Sequence, residues 1–171
     1  KESDIGSQDY HSWSLHNKGG SFRKWYGNTE NVIYWLNNGK VLRGMKNSGI
    51  QGEIIFEPEG FIWSDVTSAG LSIRIKPKGI KFDSAAPSGK VIKDDLTIHT
   101  IIGLLNFKLI NNLSKVLNPT IHFKVGNMRN IPVLSFSSRQ IDDLSKMCID
   151  LSMEDWGTNE TSWDFKQNEL I

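Results

Sequence analysis

The residue types best suited to hold a nucleic acid are gathered in a glycine-rich loop at residues 18–28, which reads KGGSFRKWYGN. Its three cations can neutralise phosphates, and its glycines let the backbone approach a duplex closely. Asparagine can form a pair of hydrogen bonds with an adenine edge. The candidates for DNA contact here are Lys18, Arg23, Lys24, Tyr26 and Asn28. In the alternative interpretation, the aromatic residues of the loop belong to the core and its cations are only solvated.

A second candidate is the polar loop that follows Trp63. It offers small side chains that fit a groove, and one carboxylate, Asp65, that can accept a hydrogen bond from a cytosine amino group. Its candidate residues are Ser64, Asp65, Thr67 and Ser68. The same composition is equally typical of an ordinary turn, so both interpretations stay open.

A third candidate is the alternating series of cations Arg74, Lys76 and Lys78. They fall on a predicted strand and its extension, where every second side chain lies on the same face. We therefore expect the three cations to share one face of a sheet, along which a phosphate track can lie. A solvated strand face is the alternative.

Other kinds of chemistry find little support. The four histidines have neither metal-ligand spacing nor cysteine partners, and the single cysteine, Cys148, cannot form an internal disulfide. The string Ser88-Gly89-Lys90-Val91 lacks both the first glycine and the final hydroxyl residue of a phosphate-binding loop. We expect no catalytic and no metal-binding residues in this chain.

The elements that must position these loops follow from the spacing of apolar and turn-forming residues. Alternation and β-branched residues predict short strands, at 31–35, 53–56, 60–64, 71–76, 79–82, 90–92 and 120–125. Apolar residues spaced by three and four predict helix over 94–117, capped by Asp94 or Asp95 and broken near Asn106. Residues 40–52 are interpreted as a mobile connection, and a last helix is expected from Ser137 or Ser138.

Together these elements predict one mixed α+β domain, a twisted and mostly antiparallel sheet braced by a helical segment. We divide it into a lead-in at 1–16 with at most one short edge strand, a central domain at 17–136, and a carboxyl-terminal helix with an acidic aromatic tail at 137–171. Because the chain opens at Lys1 and stops just after that tail, we expect it to be a piece of a longer polypeptide.

The net charge of +1 hides an uneven distribution. Residues 1–138 carry 17 Lys and Arg against 11 Asp and Glu, whereas residues 139–171 carry 3 against 8. A basic body can meet a polyanion and an acidic tail cannot. Any nucleic-acid surface is therefore expected in the first part of the chain.

Four blocks in the same order resemble the carboxyl-terminal half of the PglX-type adenine methyltransferases of bacteriophage-exclusion (BREX) systems. The blocks are 18–28, 60–81, 104–132, and the closing strings EDW at 154–156 and ETSWDF at 160–165. The resemblance implies a target-recognition domain, like those of type I and type IIG enzymes, that reads a short asymmetric DNA site. It also implies an upstream catalytic domain that methylates N6 of adenine with S-adenosylmethionine.

The catalytic half of that family is not found in this sequence. Its Asn-Pro-Pro-aromatic motif, which holds a flipped adenine, is absent, and so is a glycine-rich cofactor loop. The nearest string, Asn118-Pro119-Thr120, lacks the second proline and the aromatic residue and is interpreted as a turn from helix to strand. We expect no transferase activity from this piece and no cofactor within it, since S-adenosylmethionine would belong to the missing catalytic domain.

The favoured function is thus a DNA-specificity module whose partners are double-stranded DNA and the upstream catalytic domain. The alternative is a protein-interaction module that docks the methyltransferase to other defence components or to a phage inhibitor. No apolar run reaches the length needed to cross a bilayer, so we expect a cytoplasmic protein without a membrane partner.

Overall fold

The computed structural model describes residues 12–50, 56–92, 95–134 and 138–167. The proposed cap Asp94 lies outside these ranges, and so does the predicted strand at 53–56 except for Phe56. Within them the chain forms one small α+β domain, as predicted from the sequence, with two three-stranded sheets in place of the single sheet expected.

The first sheet has the strand order β2-β1-β5 and is built around the segment interpreted as a lead-in. Strand β1 (Trp13–Asn17) pairs antiparallel with β2 (Asn31–Tyr34) and parallel with β5 (Lys81–Phe82). The rings of Trp13 and Tyr34 meet edge to face across the pair, 5.4 Å between centroids. Strand β1 is therefore the central strand of its sheet, and the expectation of an edge strand was wrong.

The second sheet, of order β4-β3-β6, is antiparallel throughout. Strand β3 (Gly60–Trp63) pairs with β4 (Ile73–Lys76) and with β6 (Ser88–Gly89). Because Trp63 pairs with Ile73 and Gly60 with Lys76, residues 64–72 connect the strands at one end of the sheet. Residues 77–80 follow β4 at the opposite end. The strand predicted at 90–92 forms two residues earlier, as β6.

Helix α1 (Leu36–Gly44) replaces part of the connection predicted at 40–52. It opens with three residues in the left-handed region, Asn37, Asn38 and Gly39. Asparagine and glycine tolerate that conformation best. The helical turn that follows these residues was not predicted from the sequence.

The helical segment breaks where the sequence predicts. Helix α2 (Ile98–Asn106) begins at the N-cap Thr97, whose side chain accepts from the Thr100 amide, and α3 (Lys108–Leu117) follows. The Asn106 carboxamide leaves the helix to bond both the N–H and the C=O of Ile73, at 3.0 and 2.9 Å. This side chain joins the helical segment to β4.

The region after Pro119 differs from the prediction. Instead of a strand at 120–125, residues 118–124 run irregularly, with one isolated bridge between Val66 and His122, into the short helix α4 (Val125–Arg129). The last helix, α5 (Arg139–Gly157), starts after the N-cap Ser138, one of the two positions predicted from the sequence. No helix in the described ranges is long and apolar enough to cross a membrane.

The core lies between the second sheet and helices α2 and α5. Its centre is the almost completely buried pair Ile73 and Ile102, with Trp63, Leu105 and Ile149 around them. Helix α5 approaches α2 closely at Gly103, where an added Cβ would collide with the Ser145 side chain. Burial of each large apolar side chain contributes about 1.5–3 kcal/mol, which fixes the scaffold that carries the loops.

Candidate nucleic-acid interface

The glycine-rich loop 18–28 packs against the body of the domain. Residue Trp25 bridges to β4, donating its N–H to Ile73 O and accepting from Ile75 N–H, both at 2.8 Å. A Cβ at Gly19 would lie 2.7 Å from the Ala85 carbonyl oxygen, and one at Gly27 would lie 2.6 Å from the Arg23 side chain. These two glycines are therefore explained by close packing inside the protein.

The two cations in the middle of the loop are engaged by the protein itself. The Arg23 Nη1 atom lies 2.6 Å from Asp155 Oδ2, and the guanidinium sits 4.9 Å from the ring centroid of Trp156. The Lys24 Nζ atom donates to the Asn106 carbonyl at the end of α2, at 2.9 Å, where the helix dipole favours a positive charge. Both side chains are half-buried.

Tyr26 and Asn28, the other candidates of the loop, are buried. The Tyr26 hydroxyl donates to Asp164 Oδ2 at 2.9 Å, and burial together with that carboxylate raises the pKa of the phenol above its usual value. The Asn28 amide donates to the Ser21 carbonyl at 2.8 Å. Of the five candidates in this loop, Lys18 alone is exposed, and the interpretation of the aromatics as packing residues is correct for Tyr26.

Arg74 is completely buried, so the expected exposed row of cations on β4 is wrong. Its Nη1 donates to the Arg23 carbonyl at 3.2 Å and its Nη2 to Ser64 Oγ at 3.3 Å. Burial, and secondarily the charge of Arg23, lowers the pKa of the guanidinium to about 10. The side chain ties loop 18–28 to the loop that follows β3.

Lys76 shares a face of β4 with Arg74, opposite to the face of the core residue Ile73, as the alternation requires, and is 1 % exposed. Its Nζ donates to the carbonyls of Phe56, Pro58 and Pro77, at 2.9, 2.7 and 3.2 Å. Burial, followed by the charge of Lys81, lowers its pKa to about 8. Lys78 is exposed, but it lies beyond the end of β4 that is remote from residues 64–68.

The polar loop after Trp63 meets the irregular stretch 118–124. The backbone of Asp65 accepts from Phe123 N–H at 2.6 Å, and Thr67 N–H donates to the Ile121 carbonyl at 2.9 Å. The side chain of Asp65 pairs through Oδ2 with His122 Nδ1 at 3.1 Å. Its other oxygen, Oδ1, is buried without a hydrogen-bond partner among the described residues.

Residues 18–20 and 83–85 complete this surface. Ser64 Oγ donates to the Gly20 carbonyl at 3.1 Å, and Asp65 N–H donates to the Ala85 carbonyl at 2.9 Å. We call residues 18–20, 64–68, 83–85 and 120–124 the loop edge. It brings two of the predicted loops together at one end of the second sheet, with the side chains of Lys18, Ser68 and Lys124 exposed.

His122 and Lys124 were not predicted as part of this surface. Residues 120–125 were expected to form a strand, and His122 pairs with a residue 57 positions away. No local pattern marks such a contact. The turn residues Asn118 and Pro119 are a partial signal, because they end α3 and direct the chain toward Asp65; Asn118 donates its amide to the His122 carbonyl.

A cleft of about 820 Å³ adjoins the loop edge. Asp65, Asp83 and Lys124 line one part, and Trp35 and Phe56 line another. Lys81 lies in its wall, 5.1 Å from each of the two aromatic ring centroids and 3.1 Å from Glu57 Oε1. Across the described ranges, no three His, Cys, Asp or Glu side chains are placed to hold a metal ion.

The chain is similar to segments of bacterial adenine-specific methyltransferases, which confirms the resemblance seen in the sequence. It is 37 % identical over 158 residues to the adenine-specific methyltransferase BrxX of Escherichia coli O9:H4 (strain HS), covering 90 % of this chain and 13 % of that protein. It is 34 % identical over 168 residues to the adenine-specific methyltransferase PglX of Lacticaseibacillus casei (strain Zhang), covering 94 % of this chain and 14 % of that protein. No family model matches the chain. The chain thus spans only a small part of the curated relatives it matches.

Proposed function

We propose that this chain is the DNA target-recognition domain of a longer N6-adenine-specific methyltransferase that acts in phage restriction, and that the loop edge is its DNA-contacting surface. The names of the two relatives support the methyltransferase context. The observation that carries the interface is the convergence of residues 18–20 and 64–68 at one end of the second sheet, linked by the hydrogen bond from Ser64 to Gly20.

The loop edge combines the two kinds of contact that sequence-specific binding needs. Lys18 and Lys124 are exposed and can meet phosphates. The Asp65 carboxylate, whose side chain is 14 % exposed, can accept from an exocyclic amino group of a base through Oδ2 beside the exposed His122, since Oδ1 is buried. Phosphate contacts fix the register of a protein on DNA, and base contacts specify the sequence.

The buried cations act as supports of this surface in the proposed function. Arg74 joins the backbone at Arg23 to Ser64, and it therefore fixes the position of one recognition loop relative to the other. The planar guanidinium holds its donors in a fixed geometry, so less conformational freedom is lost for each hydrogen bond than with an ammonium. The candidates Arg23, Lys24, Tyr26, Asn28 and Lys76 keep an indirect role, since each is held by an internal contact.

Methyl transfer belongs to another part of the proposed polypeptide. The string Asn118-Pro119-Thr120 does not fit the motif that holds a flipped adenine. The amide of Asn118 is used within its turn, and Pro119 is followed by Thr120 in place of a second proline. This chain would contribute selection of the site, and the catalytic domain would bind the cofactor.

The test is a fluorescence-anisotropy titration of the chain with duplexes that contain the site methylated in a genome carrying the gene. Lys18→Ala with Lys124→Ala should weaken binding to all sequences and reduce the slope of log K against log salt by about two. Asp65→Asn should change the preferred sequence and leave the salt slope unchanged. The matched control is Lys108→Ala on α3 with Lys146→Ala on α5, two exposed positions outside the loop edge, which removes the same charge from a different surface. Equal losses in both double variants would contradict the loop edge as the interface.

A second candidate is a protein-interaction module that meets other defence components or a phage inhibitor. Large exposed apolar side chains on α3 and α5 favour it, among them Val116 and Leu151 at 79 % and 63 % exposure, because contiguous exposed apolar surface marks protein contacts. Under this alternative the Lys18, Lys124 variant would methylate DNA normally, whereas Val116→Lys with Leu151→Lys would lose capture of a partner protein.

A further inference from the structure

Helix α3 exposes the side of its surface that its sequence makes apolar. Leu109, Leu113, Val116 and Leu117 fall at spacings of four, three and one, which places them on one face of a helix. Leu109 is 64 % exposed, Val116 79 % and Leu117 44 %, and Leu113 is half-buried. We call these four residues the α3 stripe.

The helix meets its own domain with a different and more polar side. Ser114 is the residue of α3 that is buried, and Asn111 donates to the Leu71 carbonyl at 3.4 Å. Ile110 packs against the edge of the core. Because an α-helix has 3.6 residues per turn, Ser114 lies on a different side of the helix from Leu109 and Val116. The strongest apolar face of the helix is therefore left without a partner among the described residues.

We infer that the α3 stripe is the surface on which another part of the same methyltransferase polypeptide packs. This rests on the proposed function, in which the chain is one domain of a longer protein. The curated relatives support the choice of occupant: the matched segment is 13–14 % of their length, so most of such a polypeptide lies outside this domain and must be held to it.

The composition of the stripe fits a permanent contact within one chain. Its four members are aliphatic and none is charged, and obligate interfaces are more apolar than transient ones, resembling a core cut in two. The cations of the helix, Lys108 and Lys115, are exposed on the opposite side. A stripe spaced as i, i+4, i+7 and i+8 suits packing against a second helix.

Cysteine accessibility tests this inference in the complete methyltransferase polypeptide and in the 171-residue chain. With Cys148→Ser as background, Val116→Cys and Leu109→Cys report on the stripe, and Lys108→Cys on the polar side of the same helix is the matched control. The two stripe thiols should react with maleimide about tenfold more slowly in the complete polypeptide, because a buried thiol is inert. The control thiol should react equally in both proteins.

Equal reactivity of Val116→Cys in the two proteins would overturn the inference. Protection that already occurs in the 171-residue chain and grows with its concentration would also overturn it, because a second copy would then be the occupant. Leu109→Lys with Val116→Lys provides a second measurement: it should lower the Tm of the complete polypeptide and leave that of the 171-residue chain unchanged. Protection of the stripe in a protein whose loop-edge variants bind DNA normally would leave this inference standing and reject the proposed interface.

Discussion

Arg23 in the glycine-rich loop is bound by Asp155 on α5, with Nη1 and Oδ2 2.6 Å apart, and its guanidinium lies over the buried ring of Trp156. The acidic end of the chain therefore neutralises part of the basic loop. Asp164 extends the same arrangement by accepting from the Tyr26 hydroxyl. The sequence separates a basic body from an acidic tail. In the structure, part of that tail pairs with the basic loop inside the same domain.

The Arg23–Asp155 contact predicts two unequal effects on stability. Asp155→Asn should cost less than about 1 kcal/mol, because the Asp155 side chain is 67 % exposed and solvent screens the pair. Trp156→Ala should cost about 3–5 kcal/mol through the cavity it leaves. Urea unfolding followed by fluorescence or circular dichroism measures both, with Glu154→Gln on the preceding, exposed residue as control. Similar losses from Asp155→Asn and Trp156→Ala would show that the ion pair, and not the ring, joins α5 to the loop.

From the lowered pKa of Lys76 we predict that the free energy of unfolding rises with pH. Its pKa is lowered to about 8 in the folded chain from 10.5 in the unfolded one, so between these values the unfolded state binds more protons and the free energy of unfolding increases with pH. The shift corresponds to roughly 3 kcal/mol when the group is fully titrated. Above pH 10 the raised pKa of Tyr26 acts in the opposite direction.

The measurement is urea unfolding of the native chain and of Lys76→Met at several pH values from 7 to 10, where the difference between the two proteins isolates the lysine. The native chain should gain stability relative to Lys76→Met as the pH rises above about 8. Lys78→Met, which removes an exposed charge two residues away, controls for net charge. A constant difference across this range would contradict the assignment.

We predict that replacing Asn106 weakens the structure locally, at β4. Its carboxamide bonds both backbone groups of Ile73, and the Ile73 carbonyl also accepts from Trp25 N–H. Asn106→Leu therefore leaves one buried donor, the Ile73 N–H, unpaired, at about 1–3 kcal/mol. Hydrogen exchange should show faster exchange of the Ile73 amide in the variant. Asn112→Leu, on the exposed surface of α3, should change stability by no more than about 0.5 kcal/mol.

The sequence predicts the α+β class, β2, β3 and β4, the break at Asn106 and the N-cap Ser138, because each depends on neighbours along the chain. It fails where distant residues decide. Arg74 and Lys76 alternate as a solvated strand would, yet carbonyls and Ser64 from other segments accept their hydrogen bonds. A buried cation needs hydrogen-bond acceptors: Lys76 finds three carbonyls, and Arg74 is satisfied at Nη1 and Nη2 but not at Nε. No local pattern reveals those acceptors.

The apolar stripe of α3 shows the opposite failure. Its spacing predicts burial, and the structure leaves Leu109 and Val116 in solvent. The periodicity correctly identifies the helix and its apolar face, but not which surface covers that face. The candidate site is similar in this respect: the sequence offers the loops 18–28 and 64–68 as candidates, whereas the contact between Ser64 and Gly20 and the pairing of His122 with Asp65 depend on the fold.

We predict that a substitution of the core residue Trp63 changes the position of the loop edge. Its indole Nε1 donates to the Phe123 carbonyl at 2.6 Å, and the Phe123 amide donates to the Asp65 carbonyl, so one core side chain holds residues 120–124 against the polar loop. Trp63→Phe keeps an aromatic ring but removes the donor, at a cost of about 1–3 kcal/mol. Hydrogen exchange should report faster exchange at Phe123, and anisotropy should report weaker binding of duplex DNA, although the substituted ring is buried. Trp13→Phe, a matched change at an exposed position on β1, should alter neither; if it weakens DNA binding as much, the loss arises from general destabilisation and not from the position of the edge.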